Sequence, residues 1–281
     1  MVISIASGKG GTGKTTVATN LALSLGDGVQ FLDCDIEAPY AHLFIHPVFE
    51  KTEIITTPVP VVDKTKCDYC GKCAEICQFK AIAVIGKTVL SFPELCHSCG
   101  GCKTVCPTSA IAETGRELGI IRKGFSNGLE FVYGELRVGE AISPLLIQKV
   151  RDYSHPKKIT IIDAPPGTSC LVIASVKDSH FVLLVTEPTP FGLHDLELAF
   201  SVVQLLGIPC GLVINRSDVG DDGVEAFAKR KNIPILMKIP FNRCIAEAYS
   251  RGKTIVEVLP EYKKKFLSLF KYIDERINYY K

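Results

Sequence analysis

The chain has 281 residues, which at ~150 residues per domain predicts about two domains. Hydrophobic residues make up 47% and charged residues 22%, a composition that excludes wholesale disorder. Lys and Arg number 32 against 30 Asp and Glu, so the net charge of +2 gives no support to a general nucleic-acid binder or membrane-surface binder.

Short apolar segments alternate with helical patterns along most of the chain. The predicted strands are Val2–Ala6, Val29–Leu32, Lys158–Ile162, Phe181–Val185, Cys210–Ile214 and Ile235–Ile239. Helical spacing of apolar residues covers Thr15–Leu25, Leu145–Val150 and Leu193–Leu206. Apolar strands that alternate with helices predict an α/β fold, with a mainly parallel, doubly wound sheet covered on both faces.

A glycine-rich loop follows the first predicted strand and precedes the first predicted helix. Its residues are Gly8, Lys9, Gly10, Gly11, Thr12, Gly13, Lys14, Thr15 and Thr16. The spacing fits a P-loop, whose backbone N–H groups surround phosphate oxygens, and an ordinary glycine-rich turn is the alternative. In that role Lys14 reaches the β- and γ-phosphates, and Thr15 binds Mg²⁺. Asp163, at the carboxyl end of a predicted strand, is placed to hold the same Mg²⁺ through water.

Eight of the twelve cysteines lie between Cys67 and Cys106, within an insert of about 61–114. The pattern Cys-x₂-Cys-x₂-Cys-x₃-Cys occurs twice at an offset of 29 residues, and Ala81-Ile82 recurs as Ala110-Ile111. This is the spacing of two-cluster bacterial ferredoxins, in which the fourth cysteine of each run binds the other cluster. One [4Fe–4S] cluster is predicted on Cys67, Cys70, Cys73 and Cys106. The second is predicted on Cys77, Cys96, Cys99 and Cys102, with zinc as the alternative metal for both sites.

The N-terminal apolar run is too short for a signal peptide, and no segment approaches the roughly 18 to 20 apolar residues of a membrane span. We therefore expect a cytoplasmic protein. Disulfides rarely persist in that compartment, so metal or cluster binding is the expected role of the clustered cysteines.

The loop with its second lysine, Lys9, resembles that of the MinD/ParA-superfamily P-loop ATPases. The segment Asp163-Ala-Pro-Pro-Gly167 looks most like the Mrp-type iron–sulfur carriers and their ferredoxin-containing relatives, a branch related to the nitrogenase iron protein. The resemblance covers nearly the whole chain. It implies a P-loop ATPase domain in two parts, 1–60 and 115–281, with a 2[4Fe–4S] ferredoxin domain at 61–114 inserted between them.

The resemblance also implies roles for single residues. Lys9 would act across a nucleotide-dependent dimer, Asp35 would activate the attacking water and contribute to the Mg²⁺ site, and Gly167 would contact the γ-phosphate. Asn215, Pro240 and Phe241 would enclose the base. ATP is chosen over GTP from the resemblance alone, because Asn215-Arg-Ser-Asp218 only partly matches a guanine motif.

Two smaller features each allow a structural interpretation and a functional one. The segments Asp33–Pro39 and Asp163–Thr168 resemble the two nucleotide-sensing switch segments of the family. Cys34 lies in the first and Cys170 just after the second, where a further intersubunit cluster or a redox-sensing role is the alternative to no role. Phe266, Leu269, Phe270, Ile273 and Ile277 share one face of a predicted C-terminal helix, which is more often docked on the core than on a membrane.

The function predicted from these residues is MgATP hydrolysis coupled to electron transfer through two [4Fe–4S] clusters. An ATP-dependent carrier or assembly factor for iron–sulfur clusters is the alternative, and a positioning ATPase whose clusters only sense redox state is a weaker one. The expected partners are a second copy or a related chain in a nucleotide-dependent dimer, and a redox or iron–sulfur protein. Neither nucleic acid nor membrane is expected.

Overall fold

A computed structural model describes residues 1–140 and 144–279. The chain divides into two compact units. The first, here called the sheet unit, comprises Met1–Thr52, Ile121–Glu135 and Pro144–Lys281. The second, the cysteine-rich unit, comprises Glu53–Ile120 and Leu136–Ser143.

Eleven strands are formed by the described residues. They are β1 Val2–Ala6, β2 Val29–Asp33, β3 Val48–Val62, β4 Ile82–Ile85, β5 Thr88–Ser91, β6 Ile111–Ser126, β7 Leu129–Leu136, β8 Ile159–Asp163, β9 Phe181–Thr186, β10 Cys210–Asn215 and β11 Ile235–Ile239. Nine of them follow the order β11-β10-β9-β1-β8-β2-β7-β6-β3 in one sheet, and β4 pairs with β5.

The helices of the described residues separate most of these strands. They are α1 Lys14–Leu25, α2 His42–Ile45, α3 Lys72–Ile76, α4 Gly101–Thr104, α5 Pro144–Arg151, α6 Cys170–Val176, α7 Pro190–Leu205, α8 Gly223–Arg230, α9 Arg243–Ser250, α10 Ile255–Val258 and α11 Glu261–Tyr279.

The predicted parallel sheet is confirmed. All six predicted strands form, and the pairs β10–β11, β9–β10, β1–β9, β1–β8 and β2–β8 are parallel. Successive side chains of one strand point to opposite faces, so Ile3 and Ile5 of β1 pack in one hydrophobic cluster and Ala6 in another. The sheet is therefore covered on both faces, as in other doubly wound folds.

Sequence reasoning missed the three strands at one end of the sheet order. β7 pairs in parallel with β2, and the two-residue turn Asn127–Gly128 joins it to β6. Both turn residues have positive φ, 46° and 78°, as a type I′ hairpin turn requires. The Asn-Gly pair was the signal that could have predicted this hairpin.

The C-terminal helix is docked on the core, as predicted. Phe266 and Ile273 of α11 are fully buried, Leu269 is 2% exposed, and Phe270 packs partly buried against the same hydrophobic cluster. Within the part of the chain that the structure describes, no helix is both long enough and apolar enough to cross a membrane.

The cysteine-rich unit repeats its backbone geometry at the offset of 29 residues seen in the sequence. Positive φ angles recur in pairs: Tyr69 (59°) with Ser98 (56°), Gly71 (80°) with Gly100 (70°), and Lys80 (53°) with Ser109 (50°). The short helices α3 and α4 recur in the same way, and Ala81, Ile82, Ala110 and Ile111 are all buried. The predicted insert, 61–114, lies within this unit, and its identity as a ferredoxin domain stays a prediction.

The docking of α11 can be tested with two leucines of that helix. Leu269 is 2% exposed and Leu267 is 40% exposed. Leu269→Ala removes buried methyl groups and is expected to lower the free energy of unfolding by about 2–5 kcal/mol. The control Leu267→Ala is expected to cost less than about 1 kcal/mol. Urea unfolding followed by circular dichroism measures both, and equal losses would contradict the docked arrangement.

Candidate functional site

The glycine-rich loop connects β1 to α1, as the sequence predicted. Gly13 has a φ of 92° at the start of α1, and a Cβ atom there would lie 2.4 Å from Asn215 Nδ2. A Cβ atom on Gly8 would lie 2.0 Å from the backbone oxygen of Asp195. Both positions therefore require glycine because neighbouring groups approach the backbone closely.

Lys14 is buried and paired with carboxylates. Its Nζ donates to Asp163 Oδ1 at 2.8 Å and lies 3.7 Å from Asp35 Oδ2. Burial alone would lower the pKa of the Lys14 ammonium, but the charges of Asp163 and Asp35 outweigh burial and raise it. Lys14 therefore stays charged at neutral pH, and its charge compensates the acids around it.

Asp33 holds the loop that follows β2. Its carboxylate accepts hydrogen bonds from the backbone N–H groups of Asp35 and Ala41, both at 3.1 Å. Burial, followed by the charge of Asp163, raises the pKa of Asp33 well above its usual range. Since both Asp33 oxygens are occupied by backbone groups, this residue positions Asp35.

Asp35 is the more accessible acid, with 16% of its side chain exposed. Burial raises its pKa to about 6, with Lys14 opposing the shift and Asp163 and Glu37 adding to it. A carboxylate with this pKa is charged at neutral pH and can accept a proton, as a general base requires.

The acids at the strand ends fit a divalent cation. Asp163 Oδ2 is buried and has no hydrogen-bond partner within the described residues, although Oδ1 of the same carboxylate binds Lys14. A buried carboxylate oxygen without a partner is costly. Oxygen ligands suit Mg²⁺, so Asp163, Asp35 and the hydroxyl of Thr15 are the residues that could hold it.

A cavity of about 520 Å³ in the sheet unit brings most of the predicted nucleotide-site residues together. It is lined by the predicted residues Lys9, Gly10, Gly11, Gly13, Lys14, Thr15, Thr16, Asp35, Asn215, Pro240 and Phe241. Gly8, Thr12, Asp163 and Gly167 are not among its lining residues. The volume falls within the range of small-molecule and cofactor sites.

Two predicted ligand contacts are used differently in this structure. Asn215 Nδ2 donates to the backbone oxygen of Thr12 at 2.9 Å, so this amide supports the P-loop from the end of β10. The backbone N–H of Gly167 donates to the Ser7 oxygen at 3.0 Å. A phosphate contact from Gly167 therefore requires that bond to break.

Sequence reasoning missed several residues of the cavity wall. Tyr40 follows Asp35 along the chain and is 58% exposed, and Tyr249 of α9 is 48% exposed. Arg216 also lines the cavity, with a positive φ of 50° and an ion pair to Glu187 at 2.9 Å. Tyr40 and Tyr249 belong to no motif, and Arg216 lies in the segment 215–218, where sequence analysis assigned a role to Asn215 alone. A positive φ outside glycine often marks a functional position.

The cysteine-rich unit contains a separate small cavity that is lined by cysteines from both runs. Cys67, Cys70 and Cys73 of the first run line it together with Cys106 of the second. Val62, Val84 and Ile111 contribute apolar lining. This is the set of four cysteines predicted for the first [4Fe–4S] cluster, so the residues present fit that group.

Backbone N–H groups point at cysteine sulfurs in a repeated pattern. Ala81 N–H donates to Cys77 Sγ at 3.3 Å, and Ala110 N–H donates to Cys106 Sγ at 3.2 Å. Such bonds stabilise negative charge on thiolates and tune cluster potentials. Within 1–140 and 144–279, no three His, Cys, Asp or Glu side chains converge closely enough to hold a single metal ion.

The four single cysteines occupy different environments. Cys34 is fully buried, and burial raises the pKa of its thiol far above the ordinary value. Cys170 and Cys244 are exposed, and Cys210, the first residue of β10, is only partly buried. A role for Cys34 in bridging two subunits would require its strand end to open.

Comparison with known proteins matches residues 3–255 to the family described as the CobQ/CobB/MinD/ParA nucleotide binding domain. Two uncharacterized proteins of Methanocaldococcus jannaschii are similar along most of their length. MJ0579 is 30% identical over 99% of this chain and 97% of its own length. MJ0578 is 38% identical over 79% of this chain and 80% of its own length.

An iron-sulfur cluster carrier protein of Aquifex aeolicus is 25% identical over 98% of this chain and 67% of its own length. Among solved structures, the septum site-determining protein MinD of Pyrococcus horikoshii, complexed with Mg-ADP, superposes with a TM-score of 0.61. It is 21% identical over 97% of this chain and 95% of that structure, which shows a shared fold.

The raised pKa of Asp35 predicts a pH-dependent stability. The pKa is about 6 in the folded chain against an ordinary value of 3.8, so the contribution of Asp35 lowers the free energy of unfolding as the pH rises from 3.8 to about 6, and the loss is complete above that pH. Asp35→Asn is therefore expected to stabilise the nucleotide-free protein at pH 8 by up to about 3 kcal/mol, and by much less near pH 4.

Chemical unfolding at both pH values measures this difference. Asp152→Asn is the control, since Asp152 is 66% exposed and its pair with Lys149 lies on the surface. A gain in stability for Asp35→Asn that stayed constant between pH 4 and pH 8 would contradict the assigned pKa.

Proposed function

The chain belongs to the CobQ/CobB/MinD/ParA nucleotide-binding family and has a MinD/ParA-type ATPase fold, and from that premise we propose that it hydrolyses MgATP. We further propose that nucleotide state is coupled to electron transfer through two [4Fe–4S] clusters. The observation that carries the cluster assignment is the cavity in which Cys106 of the second run joins three cysteines of the first.

Nucleotide binding requires an exchange of partners at Lys14. Its Nζ is held by Asp163 at 2.8 Å and has to turn toward the β- and γ-phosphates. That movement frees Asp163, which with Thr15 and Asp35 would hold Mg²⁺. Asp35, with its pKa of about 6, is the residue proposed to orient and activate the attacking water.

The base is proposed to lie between the ends of β10 and β11. Asn215, Pro240 and Phe241 line that part of the cavity wall, and Phe241 is 54% exposed. Tyr40 adds an aromatic ring from the segment after Asp35. ATP is the proposed nucleotide, and GTP is the second candidate because the segment 215–218 resembles part of a guanine motif.

Lys9 is proposed to complete the site of a second chain. It lines the cavity beside the glycines of the loop. A cation supplied by a partner subunit would offset the charge that develops during phosphoryl transfer. The proposed assembly is a nucleotide-dependent dimer, either of two copies or with a related chain.

[4Fe–4S] clusters supply one-electron transfer at potentials that the protein sets. Cys67, Cys70, Cys73 and Cys106 would hold one cluster, and Cys77, Cys96, Cys99 and Cys102 the other. The repeat of backbone geometry and of N–H bonds to Cys77 and Cys106 supports two sites of the same kind. The expected partner is a redox protein that accepts or supplies electrons.

Cluster delivery is the second candidate function, because several relatives are named as iron-sulfur cluster carrier proteins. A carrier needs clusters that leave readily, whereas eight cysteines in two complete sets favour tightly held ones. Anaerobic incubation with an apo-ferredoxin, with and without MgATP, separates the two. Rapid ATP-dependent transfer of iron would favour the carrier, and retention would favour electron transfer.

The role of Lys9 across the dimer predicts rescue between two inactive variants. Lys9→Ala and Asp35→Asn are each expected to lower ATP turnover by about 10²–10³-fold. In a mixed dimer, the Lys9→Ala chain keeps its own Asp35 and receives Lys9 from the other chain. An equal mixture should therefore recover about one quarter of wild-type turnover, since half of randomly formed dimers are mixed and each has one intact site.

Phosphate release measures this rescue, and each variant alone at the same total protein concentration serves as the control. If Lys9 acted on the nucleotide of its own chain, the mixture of Lys9→Ala and Asp35→Asn would gain nothing. That result would overturn the proposed dimer site.

The fourth cysteine of each run is proposed to bind the cluster of the other run. This arrangement predicts different iron contents for two double variants. The wild-type chain should hold about eight iron atoms and eight acid-labile sulfides. Cys67→Ala with Cys106→Ala removes two ligands of one cluster and should leave about four iron atoms. Cys67→Ala with Cys77→Ala removes one ligand from each cluster and should leave clearly fewer.

Iron and sulfide analysis after anaerobic reconstitution measures these contents. The reverse order of the two double variants would show that each run binds its own cluster. Zinc in place of iron and sulfide in the wild-type protein would contradict the cluster proposal itself.

A further inference from the structure

The two cysteine runs share a backbone but differ in the side chains placed beside the ligands. Ser98 lies between Cys96 and Cys99, and Tyr69 occupies the matching position of the first run, 29 residues earlier. Their φ angles are 56° and 59°, so the two loops have the same turn at this point. The difference between the runs therefore lies in side-chain chemistry.

Ser98 is tied to a residue outside the cysteine motifs. Its hydroxyl is 2.6 Å from Thr57 Oγ1, and Thr57 is a buried residue of β3 with 6% of its surface exposed. The backbone N–H of Ser98 donates to Cys96 Sγ at 3.4 Å. The Thr57 hydrogen bond thus holds the loop in the turn that directs an N–H group at a ligand sulfur.

The first run has a different surrounding. Tyr69 and the apolar side chains Val62, Val84 and Ile111 line the cavity of its cysteines. The backbone N–H of Cys70 donates to the carboxylate of Asp68 at 3.2 Å, and His97 is the residue that matches Asp68 in the second run. Lys72 lines the same cavity, so a carboxylate and an ammonium group lie beside the first set of ligands, whereas the second run has the ring of His97 at the position of Asp68.

Reduction adds one electron, and so one negative charge, to a [4Fe–4S] cluster. Polar hydrogens directed at the sulfurs stabilise that charge, whereas an apolar cavity and a nearby carboxylate disfavour it. In the first set of ligands, Thr108 Oγ1 lies 3.7 Å from Cys106 Sγ, whereas the second set has the Ser98 N–H bond to Cys96. That bond makes the cluster on the second set easier to reduce than it would be without the bond.

We propose that Thr57 is a positioning residue that, through Ser98, raises the reduction potential of the cluster on Cys77, Cys96, Cys99 and Cys102 and leaves that of the other cluster unchanged. The proposal rests on the proposed function, since it requires both clusters.

The test is an anaerobic redox titration of the full chain, followed by EPR, with four variants. Thr57→Val removes the hydroxyl and should lower one of the two potentials while the other stays fixed. Thr57→Ser keeps a hydroxyl and should restore the wild-type value. Asp68→Asn removes the carboxylate beside the other cluster and should raise only the potential that Thr57→Val leaves fixed.

Thr56→Val is the matched control, because Thr56 is the exposed neighbour of Thr57 on the same strand. It should leave both potentials unchanged. Equal shifts of both clusters in Thr57→Val, no shift, or a loss of iron from that variant would overturn the proposal. A wild-type chain without two clusters would instead overturn the proposed function, so the two failures are distinguishable.

Discussion

The buried ion cluster around Lys14 is the constraint on which the sheet unit depends. The parallel register of β2 and β8 places Asp33 beside Asp163, which brings two acids together at one edge of the sheet. Two buried carboxylates in contact are unfavourable unless a cation compensates them. Lys14 supplies that cation from the first residue of α1, because the glycine-rich loop turns the chain back onto the same strand ends.

The same constraint explains how the site can respond to nucleotide. Phosphate and a divalent cation offer Lys14 and Asp163 new partners of opposite charge, so their binding exchanges one compensated arrangement for another. In this structure Asp33 accepts two backbone hydrogen bonds from the segment that contains Asp35 and Ala41. A change in the charge around Asp33 would therefore act on the segment after β2.

Six strands of the sheet, the glycine-rich loop and the cysteine repeat could be predicted from sequence, because each is marked by residues that are close together in the chain. Continuous apolar runs identified six parallel strands, and cysteine spacing identified a repeat that the φ angles of Tyr69 and Ser98 reproduce. The strands β3, β6 and β7 were missed, and the Asn127–Gly128 turn marks β6 and β7 but not β3. Tyr40 and Tyr249 were missed because tertiary folding alone brings them to one cavity.

Asn215 lines the cavity, but its side-chain amide binds a neighbour other than the one that the sequence suggested. Its position at the end of β10 indicated a contact with the base, and it does line the cavity. The amide nitrogen, however, supports the Thr12 backbone, and the steric need for Gly13 comes from this same amide. Sequence places such a residue at the right strand end but does not show which neighbour takes its hydrogen bond.

Nucleotide state and cluster redox state are proposed to be coupled within one chain. The most direct test of this coupling is an anaerobic EPR-monitored redox titration of the purified protein, with and without MgATP. If the two are coupled, MgATP shifts the potential or the EPR signal of at least one cluster. Two clusters that titrate identically in both conditions would contradict it.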